Sequence, residues 1–90
     1  MFPFKEKQVS KDVFIREFDP EVDSDELVWH RDREDRLVEV IQSEDWWFQY
    51  DNEIPKPLTE TLFIKAKTWH RVIKGPNCNK PLIVKIHKKR

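Results

Sequence analysis

The sequence predicts a small all-β domain, a sandwich or barrel with little or no helix, and three observations lead there. Nowhere in the 90 residues do apolar side chains recur at i, i+3, i+4 and i+7 over three turns, the spacing an amphipathic helix requires. Short segments instead alternate apolar and polar residues, which is the period of a half-buried strand. These segments follow one another at intervals of roughly 8–12 residues with turn formers between them, the rhythm of an antiparallel sandwich or barrel.

Residues 1–11 read as an N-terminal arm. Val13–Phe18 (VFIREF) is the first strand, rich in β-branched and aromatic side chains, and Asp19-Pro20 ends it because proline cannot donate to a ladder. After an acidic run over 19–26 (DPEVDSDE), residues 26–31 (ELVWHR) read as the second strand. Residues 36–42 (RLVEVIQ) are the third, with Val38 and Val40 on one face and Leu37, Glu39 and Ile41 on the other. Ser43-Glu44-Asp45 is expected as a short hairpin turn into the fourth, Trp46–Tyr50 (WWFQY). Residues 51–59 contain Pro55 and Pro57 and read as a loop. Residues 61–64 and 68–74 are the fifth and sixth strands, Gly75-Pro76-Asn77 is a turn, and 81–87 (PLIVKIH) is the last strand. The barrel thus spans 12–87, and 88–90 form a basic tail. With one glycine in the chain, positive φ falls to Asn52, Asn77, Asn79 and the aspartates.

Ninety residues lie below the usual domain size of roughly 100–150, so residues 1–90 are read as one domain. No apolar run approaches the ~18 residues of a membrane helix, and no basic-then-apolar leader opens the sequence. A cytoplasmic protein with no membrane partner is expected. The single Cys78 excludes an intrachain disulfide and suits a reducing compartment. Residues 1–45 hold fourteen acids against seven bases, and residues 46–90 hold three acids against ten. A basic tail can steer nucleic acid, but a net charge of zero and the absence of a spaced aromatic RNA-binding motif argue against that partner. Opposite charges that neighbour each other in the fold are the simpler expectation. A phosphate loop is excluded by the lone glycine, and structural zinc by the lack of paired cysteines.

The chemistry concentrates on histidines. His30 stands in W-H-R-D, two positions before Asp32, and residues i and i+2 of a strand share a face. His70, in T-W-H-R, lies forty residues on and can join them from a neighbouring strand. Two imidazoles and a carboxylate with open positions suit Fe(II), Mn(II), Ni(II) or Zn(II). His87 lies toward the basic tail and is expected to be solvated. Trp29 and Trp69 each precede a histidine and so face away from it. This points to an outward aromatic patch and a homodimer through Trp29, Trp69 and one of Trp46 or Trp47, Trp47 being preferred. In the other arrangement the arm residues Phe2 and Phe4, with Phe14, cover the tryptophans within one chain.

The stretch 29–75 resembles the small single-domain cupins, compact jelly-roll barrels with motifs G-x5-H-x-H-x3/4-E-x6-G and G-x5-P-x-G-x2-H-x3-N. His30-Arg31-Asp32 fall on H-x-H, Arg36 on the metal-binding glutamate and Ser43 on the closing glycine. Lys65-Ala66-Lys67-Thr68-Trp69-His70 fall on P-x-G-x2-H, with lysines in place of the proline and glycine. The resemblance implies a cupin-like jelly roll that binds a small molecule in the barrel, with a divalent metal (Fe, Mn, Ni or Zn) on His30, Asp32 and His70. If the protein is catalytic, it implies dioxygenase or isomerase-type chemistry. Arg36, Val38 and Gln49 are the expected ligand-binding residues. Arg36 cannot ligate a metal, because its guanidinium offers only donors. It either anchors a substrate carboxylate or pairs with Asp32. The pairing fits the alternative function, a non-enzymatic dimeric module with a degenerate, metal-free pocket.

Overall fold

The computed structural model describes residues 3–89, so Phe2 of the arm and Arg90 of the tail lie outside it. Eight strands run in chain order: β1 (Phe4–Ser10), β2 (Val13–Phe18), β3 (Asp35–Gln42), β4 (Trp46–Tyr50), β5 (Lys56–Pro57), β6 (Leu62–Ile64), β7 (His70–Lys74) and β8 (Leu82–Lys89). They form a five-stranded sheet ordered β1-β2-β8-β3-β6 and a three-stranded sheet ordered β5-β4-β7. Every pairing is antiparallel. The expected all-β architecture is present, and the sole helical piece among the described residues is a 3-10 turn at Ser24–Glu26.

The core lies between the sheets. Inward positions of the large sheet supply Phe18, Val38, Ile64, Leu82, Val84 and Ile86, and β4 supplies Trp46 and Phe48. Trp46, Phe48 and Leu82 are the most deeply buried, each contributing roughly 1.5–3 kcal/mol of burial. The Trp46 indole donates to the Lys80 carbonyl at 2.8 Å, and the Tyr50 hydroxyl to the Phe63 carbonyl at 2.8 Å, so neither polar handle is wasted. Residues 19–26 close one end. Val22 and Leu27 join the core there, and Lys74 Nζ donates to the carbonyls of Pro20 and Val22.

Several sequence expectations are corrected. Residues 4–10 form the edge strand β1 paired with β2, where a free arm was expected. Its residues are almost all exposed, so no alternating apolar pattern marks them. The segment 26–31 is no strand. Asp23 caps the 3-10 turn by accepting from Asp25 N at 3.1 Å, and only His30 pairs, in an isolated bridge with His70. Ser43-Glu44-Asp45 is a crossing between sheets, because β3 and β4 belong to different ones. The proline-bearing loop contributes the short outer strand β5, where Pro57 pairs at a sheet edge. The basic residues Lys88 and Lys89 continue β8, a strand with neighbours on both sides. There Glu39 stands opposite Lys85, and Asp35 opposite Lys89. His87 is half-buried and paired with Glu39, since the register places them on one face.

Positive φ occurs at Asp45 (56°) and Lys67 (62°), and at none of the three asparagines expected to supply it. The only glycine serves a close approach instead. A Cβ on Gly75 would lie 2.2 Å from the Asp45 carboxylate.

Candidate metal and ligand site

His30 and His70 meet across their bridge, His30 N donating to His70 O at 3.0 Å and His70 N to His30 O at 2.9 Å. The ring centroids are 4.2 Å apart in an edge-on arrangement, and Phe48 stacks on His70 at 5.5 Å. Asp32 follows His30 and is held through its backbone, its carbonyl accepting from Lys67 N at 2.7 Å. Asp35 Oδ1 accepts from Ala66 N at 2.7 Å, a second tie between the same two loops. Lys67 takes a left-handed conformation in this loop, at the position where the cupin motif has glycine.

One ligand atom from each of His30, Asp32 and His70 lies within 4.8 Å of the other two. Each ring's Nδ1 faces a carbonyl two residues back, Val28 at 3.2 Å and Thr68 at 2.8 Å. A carbonyl only accepts, so Nδ1 carries the proton and Nε2 the lone pair. Metal-binding histidines are oriented in this way. His70 Nε2 lies 3.4 Å from Asp32 Oδ2, and that oxygen is buried with no hydrogen-bond partner. Two acceptors therefore face each other, an arrangement that a cation between them relieves. Burial holds the His70 pKa below its ordinary value, against the opposing pull of the Thr68 carbonyl and the Asp32 charge, so a proton is a poor occupant. The donor set of two imidazoles and one carboxylate thus fits a divalent ion.

Arg36 projects inward from β3 and is 9% exposed. Its Nη2 lies 3.3 Å from Asp32 Oδ1, and its Nε donates to Glu34 Oε2 at 3.0 Å. Burial pushes the Glu34 carboxyl up, but the hydrogen bond and charge of Arg36 outweigh it and leave the pKa lowered. The sequence reading missed Glu34. Its signal was there, an acid two residues before a base on what became a strand entry.

His30, Asp32, Arg36 and His70 sit at the polar end of a cavity of about 360 Å³ between the sheets. Phe18, Val38, Leu82 and Val84 are among the apolar side chains around it, as is Phe48, which the sequence reading did not assign to the site. The structure brings together His30, Asp32, Arg36, Val38 and His70 on this cavity. Gln49 does not reach it, because strand alternation turns Phe48 inward and Gln49 outward. There Gln49 accepts from Arg71 Nε at 3.0 Å and donates to the Glu53 carbonyl at 2.9 Å.

Trp29 and Trp69 are 37% and 41% exposed, on the far side of the His30–His70 bridge. The register stacks Arg71 over Trp29 at 4.5 Å and Arg31 over Trp69 at 5.1 Å. Trp47 is half-buried, its indole donating to Asp45 Oδ1 at 2.9 Å. Phe4 packs on Phe18, and Lys88 lies over Phe14. Cys78 is a free thiol whose pKa burial raises, which disfavours the thiolate. No helix among the described residues is long and apolar enough to cross a membrane.

No protein-family model matches the sequence, and no curated protein matches it at a significant level. Solved structures do share its fold. A cupin domain from Bordetella pertussis superposes with a TM-score of 0.64 at 19% identity, over 97% of this chain and 92% of that one. A protein from Neisseria meningitidis does so with a TM-score of 0.60 at 12% identity, over 96% and 82%. The chain therefore has a cupin-like fold, an antiparallel β sandwich with its candidate site between the sheets.

Proposed function

We propose that this protein binds a small molecule in its inter-sheet cavity, beside a divalent metal held by His30, Asp32 and His70. The observation that carries the reading is the buried, unpartnered Asp32 Oδ2 facing a lone-pair nitrogen of His70. Both rings are already fixed by carbonyls, so a cation would meet an organised set and lose little to reorganisation. The apolar walls lower the polarity around that end of the cavity, which strengthens charge interactions there. A bound Fe, Mn, Ni or Zn ion would supply Lewis-acid or oxygen-activating chemistry, with positions left open for a ligand. Arg36 holds Asp32 from the other side and limits the charge that accumulates at the site.

The test is elemental analysis of protein purified without chelator or affinity tag, with His70→Ala as control. About one ion per chain, lost in the control, is the expected result. Protein that is metal-free and refuses reloading overturns the reading.

One observation favours a second reading, a metal-free dimeric module. Arg36 already neutralises Asp32 at 3.3 Å, and Val28, Trp29 and Trp69 leave apolar surface exposed on one side of the fold. Light scattering tests it. A mass of two 11.0 kDa chains that falls to one in the Trp29→Ala/Trp69→Ala variant, with no metal bound, would favour the module.

A further inference from the structure

The pocket's charge and lining point to the kind of molecule it takes. Of the charged groups at this end, Asp32 and Arg36 line the cavity and cancel in formal charge. A divalent ion on His30, Asp32 and His70 would leave that end positive. An anionic head on a ligand would offset this charge and lower the cost of holding it out of water.

Arg36 supplies the geometry. Guanidinium has five N–H donors in a planar fork. Nε is spent on Glu34 and Nη2 faces Asp32, while the Nη1 end has no acceptor among the described residues. Arg36 also lines the cavity. The cupin motif has a metal-ligating glutamate at this position, so exchanging acid for base converts a ligand of the ion into an anchor for an anion beside it. Beyond this end the surroundings change character. Phe18, Val38, Phe48, Leu82 and Val84 make most of the wall, with Arg16 and Glu26 also on it.

We propose that the cavity takes a small carboxylate with a largely apolar body, its head set between the metal position and Arg36. This rests on the metal-and-ligand reading above and adds the ligand class and the residue that chooses it. A sugar would strand most of its hydroxyls against the apolar walls.

The experiment is calorimetric titration of the full chain, preloaded with Zn2+, using 3-phenylpropanoate and its neutral amide. Each titration is repeated on Arg36→Gln and Arg36→Lys. The phenylpropanoate is expected to bind about 10- to 100-fold more tightly than the amide, the worth of a charge-assisted hydrogen bond. Arg36→Gln should reduce the preference over the amide to the share that Zn2+ supplies, and Arg36→Lys should retain more of it. Equal binding of acid and amide with Zn2+ in place overturns the proposal and leaves the metal-and-ligand reading standing. An acid preference untouched in either Arg36 variant overturns the anchor role. Failure of Zn2+ to bind wild type overturns the underlying reading and the proposal with it. If Arg36→Gln does not fold, the wild-type comparison of acid with amide still decides.

Discussion

Replacing Gly75 with alanine would put a methyl group where the Asp45 carboxylate sits, 2.2 Å from its Cγ and both oxygens. No rotation of the new methyl avoids this, since Cβ is fixed by the backbone, so the carboxylate must leave. It accepts from Asn77 N at 2.7 Å and from Trp47 Nε1 at 2.9 Å. Hydrogen bonds to a charged group are worth about 1.5–3 kcal/mol each. Both lie near the surface and water recovers part of the loss, leaving about 2–3 kcal/mol. Alanine restricts the unfolded chain and returns about 0.4–1 kcal/mol. The net cost is then about 1–2.6 kcal/mol, or roughly 4–20 °C in Tm for a domain of this size. Urea melts of wild type, Gly75→Ala, Asp45→Ala and the double variant measure it as a cycle. In the Asp45→Ala background the glycine substitution should cost nothing or stabilise slightly. An equal loss in both backgrounds would refute the claim that close approach to Asp45, and not backbone freedom, demands glycine here.

Lys67→Gly should stabilise the protein by about 0.5–1 kcal/mol in urea melts, because a left-handed lysine costs roughly 1–2 kcal/mol and glycine's greater unfolded freedom takes part of it back. An unchanged or lower midpoint would mean that the φ of 62° is not strained. For His70, the folded pKa is held below the ordinary value of 6.5 by burial, so the unfolded chain takes up the proton first. Stability in the presence of a chelator should therefore be full above about pH 6.5 and fall as the pH drops toward 5, with a flatter profile in His70→Gln. Asp32→Ala should weaken Zn2+ binding by about 100-fold or more, since it removes the only carboxylate of the set. Competition with a chromophoric chelator would read the change. In a Trp29/Arg71 double-mutant cycle the coupling should be about 0.5–1 kcal/mol, the range for an exposed cation–π contact.

The sequence by itself determined the fold class and the meeting of His30, Asp32 and His70. Strand alternation is a local property, and it reports directly which of Trp46, Trp47, Phe48 and Gln49 face inward. The spacing of His30 and Asp32 likewise survives although their segment is no regular strand, because the bridge at His30 keeps an extended backbone. What remained illegible depends on contacts between distant residues. Residues 4–10 are polar on both faces and become a strand only because β2 offers an unpaired edge. Ser43-Glu44-Asp45 looks like a hairpin turn, and only Gly75 and Asn77, thirty residues on, show it to be a corner between two sheets. Arg36 reads as a single cation in the sequence, and the fold alone gives it Asp32 on one side, Glu34 on another and a place on the cavity wall. Charge in water is nearly independent of its neighbours, whereas charge at the buried end of a sandwich is set by them. Side-chain periodicity is therefore written along the chain, while the chemistry of the site arises only where the two sheets close on it.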